Sequence, residues 1–226
     1  RFFLGQGSSQ SKKEFYRAFV IVFVLMSVSI GYSVYQLSQN IHGTKIKVGV
    51  VQGNVPNERR WSPKAGSFIL RDYFSLSQKL VADHVDLIVW PESAYPGYYG
   101  EDPGLCLALK EFIIKTKTSH LIGTITKKQE EYFNSAAFFS SSGKPEREYH
   151  KIHLVPFGEY IPFRKQIPFL SLIVPIDDFT RGREYALFEA PEKEARAQKL
   201  YYSVLICFED TVPELVSGFV KNGAIF

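Results

Sequence analysis

The first strong pattern along the chain is an apolar run without a charged residue, at residues 18–37. About 20 such residues are enough for an α-helix to cross the hydrocarbon core of a bilayer, which is about 30 Å thick. A signal peptide would have a shorter apolar core followed by small residues, and a buried core helix of this length would rarely lack charges. The pattern therefore predicts a polar segment at residues 1–17 and a transmembrane helix at residues 18–40.

From residue 45 onward, short apolar runs alternate with amphipathic stretches. The runs typical of buried strands are residues 45–52, 86–90, 120–126, 134–140 and 200–206. Two stretches place apolar residues at helical spacing, one after Ser62-Pro63 and one after Asp102-Pro103. Strands that alternate with helices and then follow one another predict a layered α/β domain with mixed strand pairing.

Residues 151–180 are apolar but contain four prolines, so neither a regular helix nor a central strand fits them. Long apolar loops of this kind often act as lids or contact surfaces. Next to a membrane helix, we expect this segment to dip towards the lipid interface through Phe163, Phe169 and Ile173. Packing over the domain's own core is the alternative.

Composition and charge narrow the possible functions. A hydrophobic content of 45% and a charged content of 22% are typical of a folded globular protein. The net charge of +4 is small, and without a long basic block it does not indicate nucleic-acid binding. Lys12, Lys13 and Arg17 favour a cytoplasmic side before the apolar run, although Lys45 and Lys47 weaken that bias.

Three chemically active side chains each follow a predicted strand: Glu92, Lys151 and Cys207. Each is weak evidence alone, because a free cysteine is usually a small buried hydrophobe and a glutamate or lysine is usually a solvated turn residue. Together they supply a general base, a fixed cation and a nucleophile, which are the groups that acyl transfer requires. The other cysteine, Cys106, is expected to be a buried helix residue.

The order of these residues and their local contexts resemble the nitrilase superfamily and, within it, the apolipoprotein N-acyltransferases. The motifs that carry the resemblance are Val51-Gln52-Gly53-Asn54 with Trp61, Trp90-Pro91-Glu92, Tyr132-Phe133-Asn134-Ser135, His153-Leu154-Val155-Pro156-Phe157-Gly158-Glu159-Tyr160-Ile161-Pro162, Phe179-Thr180-Arg181-Gly182 and Ile206-Cys207-Phe208-Glu209. The resemblance covers residues 18–226 and implies a nitrilase-like α-β-β-α sandwich preceded by a transmembrane helix. Because the family continues beyond the position of Phe226, it also implies that the catalytic domain at residues 45–226 is C-terminally incomplete.

The resemblance also implies roles for individual residues. Glu92 would be the general base, Lys151 the oxyanion stabiliser and Cys207 the nucleophile. Glu159 would be a second carboxylate that orients Lys151 or the attacking group.

Three further positions match the family pattern less directly. Trp61 and Glu209 stand where the family also needs these residues. Phe208 stands where a tyrosine is often found, so a hydroxyl group is missing there.

The activity implied is that of an enzyme of the bacterial inner membrane whose catalytic domain faces the periplasm or another extracytoplasmic space. It would move a fatty acyl chain from a phospholipid, through a Cys207 thioester, to the N-terminal amine of diacylglyceryl-cysteine in a lipoprotein. No metal or cofactor is implied, since His120, His150 and His153 show no ligand spacing. Two alternatives remain: a membrane-tethered nitrilase-type amidase that hydrolyses small amides, and a non-catalytic domain that docks lipoproteins.

Overall fold

A computed structural model describes residues 9–39, 45–56, 59, 65–164, 178–191 and 199–225. Three residues singled out from the sequence lie outside these described residues: Trp61, Phe169 and Ile173. The chain divides into two compact units, Arg1–Thr44 and Lys45–Phe226.

The first unit contains one helix, α1 (Ser9–Ser38), within its described residues. It begins earlier than the sequence pattern predicted, because the polar residues before the apolar run are also helical. The stretch Lys12–Ser38 is long and apolar enough to cross a membrane, and none of its side chains is buried. An exposed apolar surface on every side is not the property of a core helix, which would bury at least one face.

The second unit is built on a six-stranded mixed sheet in the order β1-β2-β4-β5-β6, with β3 paired to β4. Its strands are β1 (Val48–Val50), β2 (Leu87–Trp90), β3 (Tyr98–Tyr99), β4 (Ser119–Lys128), β5 (Glu131–Phe139) and β6 (Pro145–His150). The β1–β2, β2–β4 and β3–β4 pairs are parallel, whereas β4–β5 and β5–β6 are antiparallel. The mixed pairing predicted from the order of the elements is confirmed.

Each face of this sheet carries its own hydrophobic core, because side chains alternate along a strand. Ile88 and Trp90 pack with helices α2 (Gly66–Ala82) and α3 (Pro103–Thr116). Leu87 and Val89 belong to the opposite cluster, which holds the small sheet of β7 (Phe188–Glu189) and β8 (Tyr201–Tyr202) and the helix α4 (Pro213–Lys221). The result is the expected α-β-β-α layering.

One local prediction was wrong. The apolar run at residues 200–206 is a strand only at Tyr201–Tyr202, and the chain then passes into a 3-10 helix, Cys207–Thr211. The backbone N–H of Ile206 donates to the Glu209 carboxylate at 2.9 Å rather than to a neighbouring strand. At Ile206 a side chain three residues ahead therefore takes the place of a strand partner, which periodicity does not reveal.

Candidate active site

The topology of the sheet brings distant residues to one edge. Strands β2 and β6 run in the same direction. Strand β2 pairs with β4 in parallel, and β6 is related to β4 by two antiparallel pairings through β5. Glu92 follows the end of β2, and Lys151 follows the end of β6. Asn134 lies early in the antiparallel strand β5, and its carbonyl oxygen accepts the Lys151 backbone N–H at 2.8 Å. All three side chains therefore start from the same end of the sheet.

Lys151 lies between two carboxylates. Its Nζ donates to Glu159 Oε1 at 2.9 Å and lies 3.6 Å from Glu92 Oε1. The exposed fraction of the side chain is 1% for Lys151 and 11% for Glu159, but 36% for Glu92. A buried ammonium group is tolerated only when it is paired, so the carboxylates hold Lys151 as a fixed cation. Glu92 is the more accessible of the two acids and can reach a ligand.

Glu159 is itself held by its own loop. Its Oε2 accepts the Val155 backbone N–H at 2.8 Å, and its backbone N–H donates to the Val155 carbonyl at 2.9 Å. Because both ends of this residue are fixed, Oε1 stays directed at Lys151. This geometry favours the orienting role that the resemblance implied for Glu159.

Asn134 completes the cluster, and the sequence analysis assigned it no role. Its Nδ2 donates to Glu92 Oε1 at 2.6 Å and to Glu159 Oε1 at 2.7 Å. One amide group therefore bridges the two acids that flank Lys151. The only signal in the sequence was its place in the motif at residues 132–135.

A fully buried carboxylate, Glu209, joins the Lys151 segment to the turn that carries Cys207. Its Oε1 accepts from the Tyr149 hydroxyl and the backbone N–H groups of Ile152 and His153 at 2.7, 2.7 and 3.0 Å, and its Oε2 from the backbone N–H of Ile206 at 2.9 Å. Ile152 directly follows Lys151, and Ile206 directly precedes Cys207. The Glu209 side chain thus fixes one sequence neighbour of Lys151 and one of Cys207.

Tyr149 is kept in its donating form by this arrangement. Burial and the negative charge of Glu209 raise the pKa of the Tyr149 hydroxyl. The phenol therefore remains protonated and available as a hydrogen-bond donor throughout the physiological pH range.

Cys207 is exposed at the start of the 3-10 helix, with a backbone φ of 54°. This left-handed conformation is uncommon for any residue other than glycine, and such strain often accompanies functional sites. Cys207 forms no hydrogen bond with any of the acids or the lysine among the described side chains. The structure brings Glu92, Lys151 and Glu159 into contact. Cys207 is connected to them through Glu209, which accepts hydrogen bonds from the backbone next to Cys207 and next to Lys151.

Both cysteines are free. Cys106 lies in α3 as predicted, but it is only partly buried, and its sulfur lies 3.4 Å from the Tyr95 hydroxyl. The Cys207 thiol is therefore not consumed by a disulfide bond.

Two glycines allow the close backbone approaches beneath the site. A Cβ on Gly123 would collide with the carbonyl group of the residue before Glu92, and a Cβ on Gly182 would collide with the carbonyl oxygen of the residue before Lys151. The Gly182 N–H donates to the Lys151 carbonyl at 2.8 Å. Any side chain at either position would displace the turn that presents a site residue.

His150 belongs to a separate polar network beside the site. Burial and the charge of Lys128 lower the pKa of its imidazole. Lys128 Nζ lies 2.8 Å from Nε2, and Ser135 Oγ lies 2.8 Å from Nδ1, which fits a neutral ring. Within the part of the chain that the structure describes, no group of three or more His, Cys, Asp or Glu side chains could hold a metal ion.

Two predicted aromatic residues face outwards. Phe208 is 51% exposed next to Cys207, and Phe163 is 69% exposed with a φ of 59°. Both rings are accessible to an apolar ligand. Their functional roles remain predictions.

Comparison with known proteins assigns the family. The profile of the carbon-nitrogen hydrolases matches residues 47–225. The chain belongs to the carbon-nitrogen hydrolase family. The matched range contains Glu92, Lys151 and Cys207 and begins two residues into the second compact unit.

Curated relatives of this carbon-nitrogen hydrolase include apolipoprotein N-acyltransferases from several bacteria. That of Geobacter metallireducens is 33% identical over 214 residues, which cover 92% of this chain and 40% of the relative. That of Nitrosomonas europaea is 33% identical over 191 residues, covering 82% of this chain and 36% of the relative. The chain thus spans less than half the length of these relatives.

Solved structures share the fold. Saccharomyces cerevisiae Nit3, a member of branch 10 of the nitrilase superfamily, matches with a TM-score of 0.55 at 19% identity, covering 82% of this chain and 64% of that chain. An amidase from Nesterenkonia sp. matches with a TM-score of 0.53 at 15% identity, covering 81% of this chain and 64% of that chain. The nitrilase-like fold predicted from the sequence is confirmed.

Proposed function

We propose that this chain belongs to an apolipoprotein N-acyltransferase, in which Cys207 carries a fatty acyl group from a phospholipid to the N-terminal amine of a lipoprotein. The observation that carries the proposal is the buried Lys151, held between Glu92 and Glu159, with Glu209 tying its segment to the exposed Cys207. The curated relatives that bear this name support the choice of substrates.

In the first half-reaction, Glu92 takes the thiol proton of Cys207, and the sulfur attacks the ester carbonyl of the phospholipid. As the C–S bond forms, charge collects on the carbonyl oxygen, which Lys151 stabilises. The intermediate then collapses and the C–O bond breaks. The leaving lysophospholipid oxygen takes the proton from Glu92, and a thioester remains.

In the second half-reaction, the neutral amine of the acceptor attacks the thioester carbonyl. The amine nitrogen gives one proton to Glu92 as the C–N bond forms, and Lys151 again meets the oxyanion. When the C–S bond breaks, the proton passes to the sulfur, which restores the thiol. Two half-reactions through one covalent intermediate give ping-pong kinetics.

The proposed location is the bacterial inner membrane, with the catalytic domain on the extracytoplasmic side. The apolar helix α1 and the basic residues Lys12, Lys13 and Arg17 before its apolar run support this placement. A membrane-impermeant maleimide should block Cys207 in spheroplasts. If it does so only in inverted vesicles, the orientation is the opposite one.

The decisive experiment is to trap the thioester. Full-length protein in mixed micelles is incubated with a phospholipid whose acyl chain is labelled, and the acid-quenched protein is digested. We expect the label on the Cys207 peptide, from which hydroxylamine should remove it. When a lipopeptide amine is added before the acid quench, the label should pass to that amine. A Cys207→Ala protein provides the control and should acquire no label.

The other outcomes of this experiment separate the alternatives. An unlabelled enzyme that still hydrolyses small amides through Cys207 would be a membrane-tethered amidase. A Cys207→Ala protein that still supports lipoprotein maturation in cells would indicate a docking domain. Either result would contradict the acyltransferase proposal.

Transfer also requires that water be kept from the thioester, and Phe163 is a candidate lid residue with Phe169 and Ile173 of the same segment. Burial of a phenylalanine in lipid is worth about 1.5–3 kcal/mol, so Phe163→Asp should lower amide formation relative to thioester hydrolysis roughly tenfold. The ratio of amide to free fatty acid measures this effect. Phe68→Asp, at a 58% exposed phenylalanine of α2, is the matched control. Equal ratios of amide to free fatty acid in the two variants would contradict the role of Phe163 in a lid.

A further inference from the structure

Asn134 has a polar atom that the site's own contacts do not use. The residue is 3% exposed, and its Oδ1 is buried without a hydrogen-bond partner among the described residues. Its Nδ2, by contrast, donates to both Glu92 and Glu159. The amide is therefore satisfied on one side only.

The orientation of this amide follows from its partners. Ionised carboxylate oxygens only accept hydrogen bonds, so the atom between Glu92 and Glu159 must be the NH₂ group, whose two hydrogens serve one acid each. The covalent geometry of an amide then places Oδ1 about 2.2 Å from that nitrogen. The unpaired acceptor is thus next to the carboxylate that would act as the base.

A buried carbonyl oxygen without a donor costs about 1–3 kcal/mol, and a ligand N–H placed there would remove that cost. The nucleophiles of the two half-reactions differ in this respect. A thiol carries one hydrogen, which the base removes, whereas a primary amine carries a second N–H. Only the acceptor amine can therefore engage Glu92 and Asn134 at the same time.

We propose that Asn134 Oδ1 accepts a hydrogen bond from the acceptor amine, making Asn134 a substrate-binding residue that selects primary amines in the second half-reaction. Glu92 takes one proton of the attacking nitrogen, while Asn134 holds the other N–H and so directs the lone pair at the thioester carbonyl. This inference rests on the proposed function and specifies how its acceptor is recognised.

The test is a cycle between protein and substrate. Labelled acyl-enzyme is formed first, and single-turnover transfer is then measured with a lipopeptide bearing a primary amine and with its N-methyl analogue, which has no second N–H after giving up a proton. Wild type should favour the primary amine, and Asn134→Leu should reduce that preference about tenfold. The steric effect of the methyl group is present in both proteins, and any slower acylation affects both amines. Both effects therefore cancel when the amine preference of the variant is divided by that of wild type.

Ser135→Ala is the matched control. Ser135 is the next residue of β5 and is fully buried, but its hydroxyl contacts Thr126 and His150 rather than the acids. This variant should keep the wild-type ratio. Asn134→Ser serves in the same cycle if the leucine variant does not fold.

Each outcome decides something. If wild type forms the thioester but its preference for the primary amine is unchanged in the Asn134 variants, Asn134 only spaces the carboxylates and the inference is overturned. The wild-type preference must also exceed that of a free acyl thioester towards the same two amines, and equal values overturn the inference without any variant. If wild type forms no thioester at all, it is the proposed function that fails.

Discussion

Replacing Lys151 by methionine is expected to lower the free energy of unfolding by about 3 kcal/mol and to slow thioester formation by about 10²–10³-fold. The first effect arises because the buried Glu159 would lose its counter-ion while remaining 11% exposed. The second arises because the developing oxyanion would lose its cation. Urea unfolding, followed by tryptophan fluorescence, and the rate of Cys207 labelling measure the two effects separately.

Lys128→Met is the matched control, because Lys128 also precedes a turn but its side chain is 57% exposed. An exposed ion pair such as that between Lys128 and Glu148 contributes about 0–1 kcal/mol, so this variant should remain close to wild type. If Lys151→Met were as stable and as active as Lys128→Met, Lys151 would be neither a structural counter-ion nor an oxyanion stabiliser.

Substituting glutamine for Glu209 is expected to lower the free energy of unfolding by about 2–4 kcal/mol. The carboxylate accepts four hydrogen bonds through two oxygens, whereas glutamine has one oxygen and one NH₂ group. In one orientation the glutamine NH₂ group would face the backbone N–H of Ile206. In the other orientation it would face the Tyr149 hydroxyl and the backbone N–H groups of Ile152 and His153. Either way, hydrogen-bond donors would meet without an acceptor. Because these groups flank Cys207 and Lys151, labelling of Cys207 should also fall, by about tenfold or more.

Asp210→Asn isolates the effect of burial from that of charge. Asp210 is the next residue and is exposed, so this variant should change stability by less than about 0.5 kcal/mol. Equal stability of the two variants would show that Glu209 does not hold the Cys207 turn to the Lys151 segment.

The sequence identified candidate reactive residues but not how they are arranged in space. Glu92 and Cys207 could be recognised because each follows an apolar run and carries a reactive group, whereas Lys151 follows the largely polar residues 145–150 and was recognised from the family motif. Their proximity could not be deduced from spacing, since Cys207 lies 56 positions after Lys151. Asn134 and Glu209 show the limit more sharply, because their roles depend on donors and acceptors contributed by other segments.

Hydrophobic periodicity alone determined the layered α/β domain and the apolar helix. Each element shows which of its residues avoid water through the spacing of apolar residues along its own short segment. Periodicity failed at residues 203–206, which are not a strand, and at Ile206 the backbone N–H donates to Glu209 instead of to a neighbouring strand. The tertiary structure alone decided that β2, β5 and β6 deliver their residues to one edge of the sheet. It also decided that one buried carboxylate joins two of those segments, because hydrogen bonds over such distances in sequence exist only after the chain has folded.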